Sequence, residues 1–273
     1  MTKSSRIGVF DSGFGGLTVL KALLEVLPAA EYLYFGDTAR LPYGSKSVET
    51  VAKYASEAAQ FLEQQGADLL VIACNTATAL ALPQIRTSVS IDVVGVVEPG
   101  AEAAAAASRT RKVVVIGTEA TVCSHAYRQA LAKLQLESCE KACPLLVPLV
   151  EEGWINHPVT EQVAKIYLAE AFADEFSSAD VLLLGCTHYP LLKPLLRRVV
   201  PAHVELIDSA ESTALAVSKV LNGRADARSA SHPGSRPAPL RFFVTDSTQK
   251  FQRLGRLFLG QAMDDVTHIE LKE

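Results

Sequence analysis

Short apolar runs alternate with longer amphipathic stretches along most of this chain. The runs are rich in Val, Ile, Leu and Phe and are bounded by Gly, Asp, Asn or Pro, which is typical of buried strands. They cover residues 6–10, 32–35, 69–73, 93–97, 112–116, 181–184, 204–207 and 240–244. The stretches between them predict helices, among them residues 47–65, 158–176 and 211–221. This alternation predicts an α/β fold with doubly wound, mostly parallel sheets.

The strands fall into two sets along the chain. Four precede residue 97, a break is expected at residues 98–100, and an alanine-rich helix follows at 101–107. A second set begins at Lys112, whereas the run at 240–244 and a short strand near 266–271 lie too far along to belong to it. We therefore expect two similar lobes. Their predicted boundaries are residues 1–97 with 209–273 for the first and 98–208 for the second.

Two 20-residue segments resemble each other. ADLLVIACNTATALALPQIR begins at Ala67 and ADVLLLGCTHYPLLKPLLRR begins at Ala179. Each has an apolar strand, a small residue, a cysteine, a polar pair and then an apolar helix, which indicates lobes related by a pseudo-twofold. Ligands in open α/β sheets bind beyond the carboxyl ends of the strands, where Cys74 and Cys186 lie. If the lobes face each other, both thiols point into one cleft.

The two cysteines are candidates for proton transfer. Each is expected where a strand leads into a helix, and the positive helix end favours a thiolate. A single cysteine in such a place is often only a small buried residue. A matched pair is different, because inverting a stereocentre needs a base on one face and an acid on the other. A hydrolase with one nucleophilic cysteine would not need the second.

Polar residues follow the first two strands. Asp11 and Ser12 open a glycine-rich loop that can bind a carboxylate, although the G-x-G-x-x-G spacing of dinucleotide sites is not met. Asp11 can act in catalysis or simply cap a helix. Tyr43 and Gly44 lie after the second strand, on the side of the cleft, where a plain turn is the alternative reading.

Two further groups accompany Cys186. His188 can hold the thiol or polarise the substrate, or it can be a helix-end histidine bonded to backbone. Glu151 and Glu152 precede Gly153, and one of these carboxylates can orient His188 or meet an ammonium group. A solvated carboxylate pair is the alternative.

Composition narrows the class of protein. The 273 residues carry a net charge of −4, which argues against nucleic-acid binding. We expect no membrane association and a cytoplasmic location, since no apolar run approaches the roughly 20 residues of a membrane span and no signal peptide is evident. The five cysteines suit a reducing compartment. Cys139 and Cys143 lack a matching pair, so no metal site is predicted, and residues 224–239 predict a surface loop.

Five segments together resemble the bacterial glutamate racemases. They are IGVFDSGFGGLTVLKAL, DTARLPYGSKS, IACNTATA, CPLLVPLVEEG and LLLGCTHYPLL, spread in order from residue 7 to about residue 210. The resemblance implies two α/β lobes with the active site between them, no pyridoxal phosphate, metal or nucleotide cofactor, and a homodimer. It also implies supply of D-glutamate for peptidoglycan. Only six residues precede Ile7, so dependence on a cell-wall precursor as activator, known in relatives with longer N-termini, is not expected.

The resemblance also implies roles for individual residues. Cys74 would deprotonate D-glutamate and Cys186 L-glutamate, Asp11 and His188 would assist them, and Glu151 would support His188. The implied contacts of glutamate are Asp11, Ser12, Tyr43, Gly44, Asn75, Thr76, Thr187 and His188. Aspartate racemases carry an acidic residue at position 188, so His188 favours glutamate. An aspartate racemase, a decarboxylase of the same superfamily and a binding module with this fold are the alternatives.

Overall fold

The computed structural model describes residues 5–225 and 239–271. Its strands are β1 Arg6–Asp11, β2 Glu31–Gly36, β3 Leu69–Ile72, β4 Asp92–Gly95, β5 Lys112–Gly117, β6 Glu137–Ala142, β7 Val181–Gly185, β8 Glu205–Asp208, β9 Leu240–Val244 and β10 Val266–His268. Its α-helices are α1 Leu17–Val26, α2 Val48–Gln64, α3 Asn75–Ser88, α4 Val97–Ala107, α5 Glu119–Cys123, α6 Ala126–Lys133, α7 Leu146–Glu151, α8 Pro158–Ala171, α9 Lys193–Val199, α10 Ser209–Ala225 and α11 Thr248–Leu259.

The described strands form two sheets. The first sheet has six strands in the order β10-β9-β2-β1-β3-β4, and the second has four in the order β6-β5-β7-β8. Every strand pair within them is parallel. The α/β fold class with parallel sheets is therefore confirmed, and β9 and β10 lie in the sheet that holds β1 to β4. The lobe boundaries given above stay a prediction.

The strands next to the cysteines occupy equivalent places. β3 pairs with the inner strand β1, with Ile72 opposite Phe10, and β7 pairs with the inner strand β5, with Gly185 opposite Gly117. β3 and β7 are buried along their whole length because helices cover both faces of each sheet. The carboxyl ends of β1 and β3 therefore lie side by side, and so do those of β5 and β7.

The helix α4 differs from the prediction. Residues 93–97 are not one strand, since β4 ends at Gly95 and α4 begins at Val97. The expected break at 98–100 is wrong, because Pro99 lies in the first turn of α4, where its missing N–H costs nothing. The alanines that follow favour the helix strongly enough to carry it through Gly100.

Three other elements differ from the prediction. β6 was not predicted, because it is an edge strand of sequence ESCEKA without an apolar run. The helix expected over residues 158–176 ends at Ala171 and is followed by a separate 3₁₀ turn, Asp174–Phe176. α10 extends to Ala225 rather than ending near Leu221, so the predicted loop at 224–239 begins later, and its residues 226–238 lie outside the described part of the chain.

Candidate active site

Cys74 forms the N-cap of α3. Its backbone is extended, and its Sγ accepts a hydrogen bond from the backbone N–H of Ala77 at 3.4 Å. Burial raises the pKa of Cys74 to about 12, and the nearby Asp11 carboxylate adds to this, against weaker effects of hydrogen bonds from Ser12 and Ala77. Despite its place at the positive end of a helix, Cys74 therefore holds its proton in the resting protein.

Cys186 lies in a different local structure. It follows β7 directly, but a 3₁₀ turn, Tyr189–Leu192, separates it from α9. The expectation that both cysteines stand at the start of a helix is therefore wrong for Cys186. α9 begins one residue before Pro194, a position in the first turn that suits proline. The polar neighbour of the Cys186 thiol is instead His188, whose Nδ1 lies 4.0 Å from Sγ.

His188 connects Cys186 to a carboxylate. Its Nε2 lies 3.0 Å from Oε1 of Glu151, the last residue of α7. Burial lowers the pKa of His188, but its contacts with Cys186 and Glu151 raise it to about 10. The imidazole is thus cationic at neutral pH, and it lies beside the Cys186 sulfur. The structure brings Glu151, and not the exposed Glu152, to His188.

Asp11 has two roles in this geometry. Its Oδ2 accepts a hydrogen bond from the backbone N–H of Gly13 at 2.9 Å, as a capping carboxylate would. Its Oδ1 is buried and has no hydrogen-bond partner among the described residues. Burial raises the pKa of Asp11, whereas backbone N–H groups and the charge of His188 lower it. One oxygen holds the loop, and the other is available to a ligand.

The glycine-rich loop lies between the two cysteine segments. A Cβ on Gly15 would approach His188 Nδ1 to 2.5 Å and would also collide with Thr187. A Cβ on Gly16 would lie 3.1 Å from the Cβ of Ala73, the residue before Cys74. Consecutive residues of one loop therefore touch both segments, and only glycine allows this approach. Cys74 and Cys186 are each only 5% exposed, so both cysteines are largely shielded from solvent.

The other predicted contacts surround Cys74. The Cys74 thiol donates toward Ser12 Oγ at 3.4 Å, and Asn75 and Thr76 form the first turn of α3. Asn75 Nδ2 is buried and, in the described structure, has no hydrogen-bond partner. Such a donor costs free energy unless a ligand satisfies it. Thr187 lies beside the Cys186 pair, with its Oγ1 3.4 Å from His188 Nδ1.

Tyr43 and Gly44 have different surroundings. The Tyr43 hydroxyl is buried and donates to Asp37 Oδ2 at 2.6 Å. The Tyr43 phenol therefore contacts a carboxylate of the same loop. A Cβ on Gly44 would lie 3.0 Å from the Cβ of Thr118, so the loop after β2 reaches the segment that follows β5.

Sequence reasoning missed three residues of this region. Thr118 and Thr121 hold the hydroxyl of Thr76, at 2.9 and 3.2 Å between Oγ1 atoms. Tyr127 donates from its hydroxyl to Asn75 Oδ1 at 2.5 Å. The position of Thr118 immediately after β5 was an available signal, because β5 neighbours the strand that leads to Cys186. Tyr127 lies inside α6 and gave no comparable signal.

The remaining cysteines lie apart from this site. Cys143 is fully buried, and burial raises its pKa to about 12, while Cys139 lies on the edge strand β6. Within residues 5–225 and 239–271, no three His, Cys, Asp or Glu side chains are grouped so as to hold a metal ion. Over the same residues, no helix has the length and apolar character needed to cross a bilayer.

Comparison with known proteins identifies the family of this chain. The family model of Asp/Glu/Hydantoin racemases matches residues 7–217. The glutamate racemases of Koribacter versatilis and Geobacter metallireducens are 59% and 47% identical, each over 97% of both chains.

Solved structures give the same result. The glutamate racemase of Thermus thermophilus in complex with β-chloro-D-alanine superposes with a TM-score of 0.86 at 45% identity, covering 98% of this chain and 99% of that one. The glutamate racemase of Francisella tularensis in complex with D-glutamate gives 0.88 at 35% identity, covering 98% of both chains. The chain described here therefore belongs to the Asp/Glu/Hydantoin racemase family.

Proposed function

We propose that this protein interconverts L- and D-glutamate without a cofactor, with Cys74 and Cys186 as the two acid–base groups. One observation carries the proposal: each buried thiol has its own ionisable partner, Asp11 for Cys74 and His188 for Cys186, beside one glycine-rich loop. The substrate class rests on relatives named glutamate racemase and on the Francisella structure, which contains D-glutamate.

The proton transfers follow from the two environments. Starting from L-glutamate, the Cys186 thiolate takes the α-proton, so the C–H bond breaks and an S–H bond forms. The Cys74 thiol then gives its proton to the opposite face of the carbon and is left as a thiolate. A pKa of about 12 keeps Cys74 protonated at rest, and the cationic His188 lies beside Cys186. D-glutamate reacts by the reverse path.

Stabilising the carbanion is the demanding step. Negative charge spreads onto the α-carboxylate, and donors already pointing there lower the barrier. The Asn75 amide and the free N–H groups at the start of α3 supply them, with Ser12, Thr76 and Thr187 nearby. The free oxygen of Asp11 suits the substrate ammonium.

Solvent-exchange experiments test this function. We expect L-glutamate in D2O to gain deuterium at the α-position and to become racemic, while L-aspartate does neither at a comparable rate. Cys74→Ser and Cys186→Ser should each lower racemisation by at least about a thousandfold, because a serine hydroxyl is a far weaker acid than a thiol. Cys123→Ser is the matched control, since Cys123 is exposed and lies at the far end of α5.

The outcomes separate the alternatives. Near-native turnover in either active-site variant contradicts the two-base mechanism. Faster reaction with aspartate indicates an aspartate racemase, and carbon dioxide release indicates a decarboxylase. Saturable binding of glutamate without deuterium incorporation indicates a binding module.

We further propose the setting in which the enzyme acts. D-glutamate made here would enter the peptide of peptidoglycan, from the cytoplasm, and the enzyme would act as a homodimer. The resemblance to bacterial glutamate racemases over residues 7 to about 210 supports these proposals.

A further inference from the structure

Tyr127 contacts the neighbours of both thiols. Its hydroxyl donates to Oδ1 of Asn75, the residue after Cys74, at 2.5 Å. A Cβ on Gly185, the residue before Cys186, would lie 2.9 Å from Cε2 of the Tyr127 ring. The side chain is fully buried. One rigid side chain on α6 therefore spans the distance between the two cysteine-bearing segments.

The surroundings of Tyr127 determine which way its hydroxyl proton points. Oδ1 of Asn75 is the acceptor that lies 2.5 Å from the phenol oxygen. Ser209, the first residue of α10, packs near the ring, since its Cβ and the ring's Cε1 each lie 3.5 Å from a Cβ built on Gly100. Burial raises the pKa of Tyr127, so the phenol stays protonated and donates to Asn75.

This hydrogen bond determines the orientation of the Asn75 amide. Because Oδ1 accepts from Tyr127, Nδ2 points away from the phenol, and it is the atom left buried without a protein partner. A rotated amide would place an acceptor toward the substrate carboxylate and a donor toward the phenol. Without the hydroxyl, both orientations become accessible.

We propose that Tyr127 is a positioning residue: it holds the Asn75 amide with its N–H2 group directed at the substrate carboxylate, and it holds the Asn75 and Gly185 segments at a fixed separation. The inference rests on the proposed racemisation of glutamate. It assigns no proton transfer to Tyr127. Its effect passes through Asn75, whose donation strengthens as negative charge develops on the carboxylate.

The test is a double-mutant cycle of Tyr127→Phe and Asn75→Ala. Tyr127→Phe keeps the ring on Gly185 and removes only the hydroxyl, so we expect an intact fold and about a tenfold fall in kcat/KM, mostly in kcat. In the Asn75→Ala protein the same change should cost less than about twofold, because the amide it orients is gone. Tyr32→Phe is the matched control: Tyr32 is equally buried, but its hydroxyl bonds the backbone oxygens of Leu23 and Leu27.

The possible results distinguish failure of the proposed function from failure of the positioning role. A wild-type protein that exchanges no glutamate α-proton in D2O overturns the proposed function itself. If the wild type does exchange this proton, two results overturn only the positioning role. Either Tyr127→Phe lowers kcat/KM equally in the wild-type and Asn75→Ala proteins, or it lowers kcat/KM in neither. If Asn75→Ala turns over too slowly for steady-state kinetics, α-deuterium incorporation into glutamate over hours, followed by mass spectrometry for the same four proteins, supplies the cycle. Equal kcat/KM losses from Tyr32→Phe and Tyr127→Phe would reduce the effect to general destabilisation.

Discussion

The two thiols differ in the groups around them, although their segments are similar in sequence. Cys74 lies beside a buried carboxyl, Asp11, and Cys186 lies beside an imidazole that Glu151 contacts. A carboxylate near Cys74 favours its protonated form, whereas the neighbour of Cys186 is a cationic imidazole. The two faces of a substrate held between the thiols would therefore meet unlike electrostatic surroundings.

The charge of His188 links this site to stability. Its pKa of about 10 exceeds the ordinary value of 6.5, so the folded state binds this proton more tightly than the unfolded state. The resulting stability is complete below pH 6.5 and is lost as pH rises through about 10; it is on the order of a few kcal/mol. Glu151→Gln removes one cause of the raised pKa, so the loss should begin at lower pH.

Urea unfolding at pH 6, 8 and 10 measures this difference. Glu152→Gln is the control, because Glu152 is the exposed neighbour of Glu151. If the free energy of unfolding falls equally in the wild type and in Glu151→Gln across the three pH values, the link between the His188 charge and stability is contradicted.

At the scale of elements, the loop after β1 is what brings the two cysteine segments together. Gly15 lies against Thr187 and His188, and Gly16 lies against Asp11 and Ala73. Thr18, at the start of α1, continues this contact by donating to the Thr187 carbonyl oxygen at 3.1 Å. The geometry of His188 therefore depends on a loop that belongs to the other sheet.

Gly15→Ala tests that dependence. The added methyl group must displace Thr187 or His188, so we expect a stability loss of about 1–3 kcal/mol and a fall in kcat/KM of at least about a hundredfold. Gly223→Ala is the matched control: Gly223 lies in α10, and a Cβ there meets no atom of the described residues within 4 Å, so activity should be unchanged and stability slightly raised. Native activity in Gly15→Ala, measured with the fold verified by circular dichroism, would show that the close approach is dispensable.

The elements also show what sequence alone predicts well. Buried parallel strands such as β3 and β7 were recognisable, because two covered faces demand an uninterrupted apolar run. The edge strand β6 was not recognisable, because a strand at the edge of a sheet needs no uninterrupted apolar run and can carry polar residues. The start of α4 was misjudged because Pro99 suggests a break, whereas proline suits the first turn of a helix.

The candidate site was predictable to a similar extent. Residues adjoining the cysteines in sequence, such as Asn75 and His188, lie in the site by chain connectivity, and Asp11 follows from the neighbouring strand. Thr118 follows β5 directly, so its place near the site could have been inferred, but its contact with Thr76 depends on packing between the two sheets. Tyr127 lies inside α6 and reaches the site only through such packing, which no local sequence pattern encodes.

On the scale of the whole molecule, contacts between segments of the two sheets close the site. Tyr127 bonds Asn75, Thr118 bonds Thr76, and Thr18 bonds Thr187. Two surface cavities, of about 610 and 550 Å³, lie elsewhere, near β6 and near α9. Since Cys74 and Cys186 are only 5% exposed, we expect the two sheets to move apart when a substrate enters.

Thiol labelling measures this opening. With iodoacetamide, Cys123 should react at the rate of an exposed thiol, while Cys74 and Cys186 react at least about tenfold more slowly because reaction waits for opening. Saturating D-glutamate should slow the two active-site thiols further and leave Cys123 unchanged. Peptide mass spectrometry follows each site, and labelling of all three at one rate would contradict a closed resting state.

The position of β9 and β10 has a consequence for synthesis of the protein. The four strands β5 to β8 are all synthesised before residue 209, so their sheet can assemble while translation continues. The sheet begun first is finished last, because β2 keeps an open edge until β9 arrives more than 200 residues later. A nascent chain thus contains both cysteines long before the first sheet that positions Cys74 is complete. Premature termination near residue 235 would leave the edge of β2 unpaired and able to pair with other chains.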